Sequence, residues 1–493
     1  MSKTFSEILG KRVLLFYPPG PMYQRGEDRS QGNVSDSAAT VMRAPNDMGY
    51  ASAILKEMGC EVKFVDFQTE NKTSSDLFQI FNEYQPDVIV VSITNSTIFS
   101  DLEIVNQLRN LDSNILVILK GALFFDSPPK VIESLNLENV DYLIGGEIEF
   151  AIGSIFKSHY LDPGLISSVP GILSKNKEGK WKKSFFGSWE SDVDELPFPD
   201  RSVIKNELYV RPDTGRAQAT IVTSRGCPAA CVYCLTPVIS GKSVRFRSPE
   251  QILNELRDCY HNYGITDFFF RSDTFTIDHE WVVSVCRAIN ESELCGKIEW
   301  VANSRVKPLK DDTLEIMREA GCWLVAFGFE SGSEETLKGI KKGATINDNL
   351  RAAKLAKKAG LQLYGFYLIG LPWEEASHLE QTKKHIFDID ADFIEIHIAL
   401  PYFGTELYNI SEDAGTLDQE ILGKDYFHAS TNGTKFLSSK HLIDYRKKLL
   451  LSYHLRPSYI SKKFFEAAGN PKKLFNYFQF GTKLILSNLS VNR

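Results

Sequence analysis

The sequence predicts an α/β protein in three parts: a doubly wound parallel sheet, an open barrel of six β/α units, and a mainly helical C-terminal region. Three observations carry that prediction. Short β-branched runs alternate with amphipathic segments from residue 12 to about residue 158. A Pro-containing bridge then leads into a second alternating series over residues 216–410. The remainder, residues 411–493, is basic and reads as helical.

In the first series the strand-like runs are "RVLLFYPP", "EVKFVDF", "DVIVVSIT", "NILVILKG" and "DYLIGGE". Segments such as "DMGYASAILKEMG" and "SDLEIVNQLRNL" between them read as helices. Continuous apolar runs bounded by turn signals suit strands buried on both faces. Repeated over residues 1–158, they make a doubly wound, Rossmann-like domain whose ligand site falls at the carboxyl ends of the strands. Pro18-Pro19-Gly20, Ser92, Thr94, Ser96, Gly121, Gly145, Gly146 and Glu147 occupy those ends. Residues 159–215 read as a hairpin ("GILSKNKEGKWKKSFF") followed by the linker "DELPFPDRSVI".

The second series runs "AQATIVTS", "ITDFFFRS", "KIEWVANS", "CWLVAFGFE", "LQLYGFYLIG" and "DFIEIHIAL". Helical segments such as "SPEQILNELRDCYHNY" and "DDTLEIMREAG" lie between them. Six units rather than eight imply a barrel left open, with its chemistry on the C-terminal rim.

Composition narrows the partners. The chain has 493 residues, 43% apolar and 24% charged, with a formal charge of −7 that leaves no footprint for nucleic acid. Its eight cysteines suit a reducing cytoplasm rather than a secreted disulfide scaffold. "MSKTFSEILGKR" has no apolar core of a secretory signal, and no run of about 18 apolar residues could span a bilayer. From Lys440 to Arg493, eleven Lys/Arg face only Asp444 and Glu466, a balance of +9 that leaves −16 elsewhere. Interleaved with Phe, Leu, Tyr and Ile, these bases suit peripheral contact with an anionic membrane. They equally suit amphipathic helices packed on the protein body with solvated lysines.

The most informative stretch is "SRGCPAACVYCLTP", which sets Cys227, Cys231 and Cys234 in a C-x₃-C-x₂-C frame after the first barrel strand. Structural zinc needs four ligands, and no other His or Cys lies within ten residues on either side. A distant residue such as Cys259 could complete zinc or a closed cluster. Three thiolates alone suit a [4Fe–4S] cube with one iron free of protein, the position where a substrate or cofactor can bind. Gly226 permits a tight turn before the first thiol, and Tyr233 sets an aromatic ring beside the third.

On this frame the chain resembles the radical S-adenosylmethionine (SAM) superfamily. The resemblance implies that the open iron chelates SAM, that reduction cleaves the sulfonium, and that a 5′-deoxyadenosyl radical takes hydrogen from substrate. Further motifs match in order. "FFFRSDTFT" resembles a segment usually carrying two acids; here Ser272 replaces the first and Asp273 remains. "FGFESGSEETLKGIKKGAT" resembles the SAM-gripping fourth-strand motif, which implies Glu330 and Ser331 at the sugar or methionine and Lys342 at the carboxylate. "YLIGLPWEE" resembles the fifth-strand Gly-Leu-Pro turn, adding Gly370, and "LPYFGTELY" the segment after the sixth strand. Arg305 stands at a strand end facing the mouth, where a salt bridge is an equal use for it. Helix caps are alternative uses for Asp273 and Glu330, and solvent exposure for Lys342.

A doubly wound domain ahead of such a barrel resembles the cobalamin-binding subfamily, which includes C-methylases, the anaerobic magnesium-protoporphyrin ester cyclase and hopanoid-biosynthesis enzymes. "CLTPVISGKSVRFRSPE" is most similar to the hopanoid-related members. The resemblance implies cobalamin at Ser92, Thr94, Ser96, Gly121, Gly145, Gly146 and Glu147. The first histidine is His159, so no imidazole of residues 1–158 can ligate cobalt. Lys120-Gly121-Ala122-Leu123 departs from the subfamily's Gly-Gly-x-His, which leaves a purely structural front domain as the alternative. The expected activity is C-methylation of an apolar small molecule, with a flavodoxin- or ferredoxin-type electron donor. Radical cyclisation, ring contraction or rearrangement is the competing enzyme class, and a non-catalytic sensor the competing non-enzyme.

Overall fold

The computed structural model describes residues 7–25, 42–162, 166, 169–184, 192–417, 421–424 and 433–489. The first six residues of the N-terminal stretch read above lie outside these. In the front sheet, β1 (Arg12–Tyr17), β2 (Glu61–Asp66), β3 (Val88–Ser92), β4 (Leu116–Lys120) and β5 (Tyr142–Ile144) pair in parallel in the order β2-β1-β3-β4-β5. Alternate side chains serve two cores. Phe16, Val91 and Leu119 point to one face, and Leu15, Val90 and Ile118 to the other. A strand with helices on both sides has no polar face, which is why these runs are continuously apolar. The strand order reverses between β1 and β3, the usual ligand crevice of such sheets.

The hairpin expected as a bridge is instead part of this sheet. β6 (Ile172–Lys175) pairs antiparallel to β5, and β7 (Trp181–Lys183) antiparallel to β6. Ile172 and Leu173 are apolar enough to extend the core, each buried in one of its two layers.

The barrel strands are β8 (Gln218–Val222), β11 (Asp267–Arg271), β12 (Glu299–Ser304), β13 (Cys322–Glu330), β14 (Gln362–Ile369) and β15 (Phe393–Ile398). They form one parallel sheet, β15-β14-β13-β12-β11-β8, with its edges unjoined. A small antiparallel pair, β9 (Ser224–Arg225) and β10 (Arg245–Phe246), stands at its rim. Ile221, Phe270, Trp300, Phe327 and Ile396 pack outward in the core shared with the helices, and Phe270 stacks on Trp300 at 4.4 Å. The helix Pro249–Tyr263 starts on Ser248, whose side chain accepts from the Gln251 N–H, and ends on Gly264 in the left-handed region.

Three C-terminal helices complete the chain. Ser439–His454 lies along β15, with Arg446 donating to the Ile396 carbonyl at 2.6 Å. Pro457–Ala467 and Pro471–Leu489 reach the amino ends of the barrel strands. There Tyr459 donates to the Asp392 carbonyl at 2.8 Å and Asn476 to the Asp213 carbonyl at 2.9 Å. Arg211 closes the barrel floor, paired with Asp213, Asp267 and Glu299 and lying 3.7 Å over the Trp323 ring. Among the described residues no helix is long and apolar enough to cross a membrane.

Candidate active site at the barrel rim

The cysteine loop follows β8 and is tied down at several points. Gly226 adopts φ +87°, and a Cβ there would come 2.1 Å from the Ser243 carbonyl oxygen, so the turn requires glycine. The Asp273 carboxylate accepts from the Gly226 N–H at 2.9 Å and the Thr236 hydroxyl at 3.2 Å. The Ser224 and Ser272 hydroxyls pair at 2.6 Å. Cys227 N–H donates to the Gly241 carbonyl, Val232 N–H to that of Ile340, and Leu407 N–H to that of Val232. Asp273 therefore acts on the loop backbone; the short helix after it starts at Thr274, with no side-chain cap.

All three thiols are free, with Cys227 and Cys231 buried. Burial pushes the Cys227 and Cys234 thiols up, and the neighbouring thiols add to the rise. Arg305 donates to the Cys231 sulfur at 3.3 Å, and the Thr236 N–H to the Cys234 sulfur at 3.4 Å. Hydrogen-bonded sulfurs on a pinned loop fit the donor set of an iron–sulfur cube. Among the described residues no three His, Cys, Asp or Glu side chains are arranged around a single ion. Cys259, the distant candidate for a fourth ligand, is fully buried in the barrel's outer core, where burial pushes its thiol up to about 12.

Glu330, Lys342, Tyr233 and Arg305 gather beside this loop from separate elements. Lys342 Nζ lies 2.7 Å from Glu330 Oε1 and 3.5 Å from the Tyr233 hydroxyl, and Arg305 donates to the Lys342 carbonyl. Glu330 holds φ +62° just after a register shift in β13, an uncommon left-handed conformation for a non-glycine residue. A Cβ at Gly328 would lie 2.3 Å from Glu330 Oε1, so the side chain folds over a glycine. Burial, then the Glu330 charge, raises the Tyr233 phenol well above its ordinary value. Glu330 caps no helix, since Ser333 caps Glu334–Gly339, and Lys342 is buried rather than solvated.

Two residues of the expected SAM set are occupied differently. Ser331 pairs with the Thr382 hydroxyl at 3.0 Å and accepts the Ser333 N–H, so it faces the helix Ala376–Ile389. Gly370, at φ +87°, donates its N–H to Glu374 at 2.7 Å, and Leu371 donates at 3.1 Å. Glu374 is fully buried, also accepts from Thr336, and burial pushes its carboxyl up to about 7. The sequence reading missed this acid, although it stands within "LPWEE" itself.

The front sheet docks directly on the cysteine loop. Both carboxylate oxygens of Glu147 lie 2.9 Å from Arg245, and Arg225 pairs with Glu149 and approaches Glu147 at 3.8 Å. Arg225 stands one residue before Gly226, so the carboxyl end of β5 and the thiol loop share a wall. Glu147 thus makes a clamp between domains. Gly145 and Gly121 are required by local packing: a Cβ would meet the Phe125 nitrogen at 2.1 Å and the Ile93 side chain at 2.9 Å, respectively. Gly146 lies beside the backbone of Gly171, whose added Cβ would come 2.8 Å from the Gly146 nitrogen. Thr94 pairs with Thr97, and Ser96 donates to the Lys424 carbonyl at 3.0 Å.

Ser92 differs from these. Its hydroxyl is buried beside the β1/β3 crevice and finds no partner among the described residues, so a hydrogen-bonding ligand fits there. Lys120 turns away to Asp47 at 3.1 Å, and Tyr17 donates to the same carboxylate. The lysine's bulk is thereby drawn beneath the helix Asn46–Glu57. The residues present fit cobalamin at the crevice.

Inside the barrel lies a group that the sequence reading did not single out. Tyr364 donates to Glu395 at 2.9 Å, His397 approaches Glu395 at 4.0 Å, and Phe366 lies 6.0 Å from the His397 ring. The signal was present: an acid and a histidine two residues apart in an otherwise apolar strand share one face.

A doubly wound domain clamped onto the thiol-bearing rim of an open barrel defines a radical SAM enzyme with a cobalamin-binding domain. Residues 221–386 match the radical SAM superfamily and residues 45–154 the B12 binding domain. The chain thus carries a radical SAM domain and a B12 binding domain, which imply a [4Fe–4S] cluster, SAM and cobalamin as its cofactors. It is 29% identical to an uncharacterized methyltransferase of Pyrococcus horikoshii over 86% of this chain and 91% of that protein. It is 24% identical to the cytidylyl-2-hydroxyethylphosphonate methyltransferase of Streptomyces wedmorensis over 76% of this chain and 79% of that protein. In fold it is similar to the cobalamin-dependent SAM radical enzyme OxsB with aqua-cobalamin and SAM bound. That likeness has a TM-score of 0.70 at 17% identity, over 98% of this chain and 72% of that one.

Proposed function

We propose that the protein is a methyltransferase that adds methyl to an unactivated carbon of an apolar small molecule, receiving electrons from a flavodoxin- or ferredoxin-type donor. The observation that carries this reading is the Arg225/Arg245 clamp on Glu147 and Glu149, which sets the front domain's ligand edge against the thiol loop. The methyltransferase names of the two relatives support the reaction class. When bound, the cluster with SAM supplies a 5′-deoxyadenosyl radical, and cobalamin supplies the methyl carrier.

The chain's own residues bind, orient and exclude water. Asp273 holds the loop backbone, and Arg305 steadies the Cys231 sulfur. Lys342 and Glu330 offer an ammonium and a carboxylate to the amino-acid and sugar ends of SAM. Tyr364 and Phe366 set two aromatic rings inside the barrel that suit an apolar substrate, and the Tyr364–Glu395–His397 group orients a polar end of it.

Anaerobic reconstitution with iron, sulfide, cobalamin and SAM tests the reading, with 5′-deoxyadenosine, cobalt retention and product mass followed together. A product heavier by one methylene unit per transfer is expected. A product of unchanged carbon count would assign cyclisation or rearrangement, and intact SAM throughout would assign a sensor. Cys231→Ala should abolish 5′-deoxyadenosine formation while the cobalamin spectrum persists.

A further inference from the structure

Beyond the reaction, we infer that the last two helices form a docking surface for an anionic lipid bilayer. Eight of the sixteen exposed large apolar side chains among the described residues fall between Leu455 and Ile485, so the exposure is concentrated in one place. Phe465 and Phe478 are the extremes, 74% and 73% exposed. On Pro471–Leu489, Leu474, Phe478 and Ile485 recur at helical spacing on one stripe, with Phe475 at its edge. Between the two helices lies a cavity of about 340 Å³, walled by Ile460, Phe464, Leu474, Phe478 and Ile485 and reaching Phe393 at the barrel floor. The apolar surface therefore continues inward, where an acyl segment can settle.

Charge selects the occupant. Lys472 and Lys483 are exposed on these helices, Lys462 pairs with Asp392 at 2.8 Å, and their one acid, Glu466, is held by Lys463 at 2.8 Å. The two helices carry five lysines against Glu466, a balance of +4, within a segment from Lys440 that carries +9 against −16 for the rest of the chain. An anionic surface attracts this face and repels the others, which fixes the orientation. A second copy would set two faces of the same positive sign against each other. The aromatic and basic mixture matches the headgroup boundary, where rings sink and ammonium groups stay with phosphate. Because the helices pack on the amino ends of the barrel strands, the thiol-bearing rim points away from the bilayer.

Flotation of the full chain with vesicles of phosphatidylcholine, alone or mixed with phosphatidylglycerol, tests the inference independently of the reaction. Binding only to the mixed vesicles, weakened by salt, is expected. Lys472→Gln/Lys483→Gln should weaken it roughly thirtyfold, at about fivefold per lysine. Phe475→Ser/Phe478→Ser should abolish it, with far-UV circular dichroism and 5′-deoxyadenosine formation unchanged. No flotation with the mixed vesicles overturns the inference, as does flotation of both double variants at the level of the parent. A dimer that the Phe variant dissociates, without vesicle binding by the parent, overturns it in favour of a second copy.

Discussion

Arg305 combines two features that bear on the cluster: a guanidinium fixed by the Lys342 carbonyl and a hydrogen bond to the Cys231 sulfur. Burial opposes its charge, but the charge of Cys231 and the hydrogen bond to its sulfur outweigh burial and hold the pKa above the ordinary arginine value. A positive charge and a donor at a cluster sulfur favour the reduced state. Arg305→Gln should therefore shift the cluster's reduction potential to more negative values in an anaerobic redox titration, and Arg305→Lys should recover part of the shift. An unchanged potential would mean that the contact serves only to hold Lys342. The four residues around Glu330 also illustrate how a residue's use is settled. From the chain alone, a helix cap for Glu330 and solvent exposure for Lys342 remain open as alternatives to the SAM site. Burial and the 2.7 Å pairing remove both alternatives.

Among the elements, the turn after β14 has the clearest pH signature. Glu374 accepts the N–H groups of Gly370 and Leu371 from a fully buried position, and burial raises its carboxyl to about 7. An acid with a raised folded pKa favours folding when protonated. That contribution is complete at low pH and is lost as pH rises from the ordinary carboxyl range, roughly pH 4, through about 7. Glu374→Gln keeps an acceptor for both N–H groups without the charge. Its melting temperature should equal or trail that of the parent in acid and gain on it progressively up to neutral pH. Parallel pH profiles for the two proteins would contradict the raised value. The hairpin of β6 and β7 makes a second point at this scale. Its strands were readable from composition, but its partner β5 was not, since strand pairing is a non-local choice that alternation alone leaves open.

For the whole molecule, the clamp between the domains is the deciding contact. Arg225 and Glu149 are almost fully buried, so removing the guanidinium takes its opposite charge away from a buried carboxylate. Arg225→Met should cost about 3–5 kcal/mol in denaturant titration. Arg225→Met/Glu149→Leu should recover most of that loss, because Arg245 still neutralises Glu147. Additive losses in the double variant would show that the pair contributes through separate contacts.

What could be read along the chain was local: the period of the apolar runs, the three-thiol frame, the order of the barrel motifs and the basic tail. Each depends on neighbours a few residues apart, where spacing dictates which side chains share a face or a loop. The placement of Asp273 on the cysteine loop, the Arg225–Glu149 clamp, the withdrawal of Lys120 to Asp47 and the grouping of Tyr364 with Glu395 and His397 were not legible in that way. These contacts join positions tens of residues apart. Several identical charges compete for each partner, and packing selects among them by desolvating all but the pairs that fit.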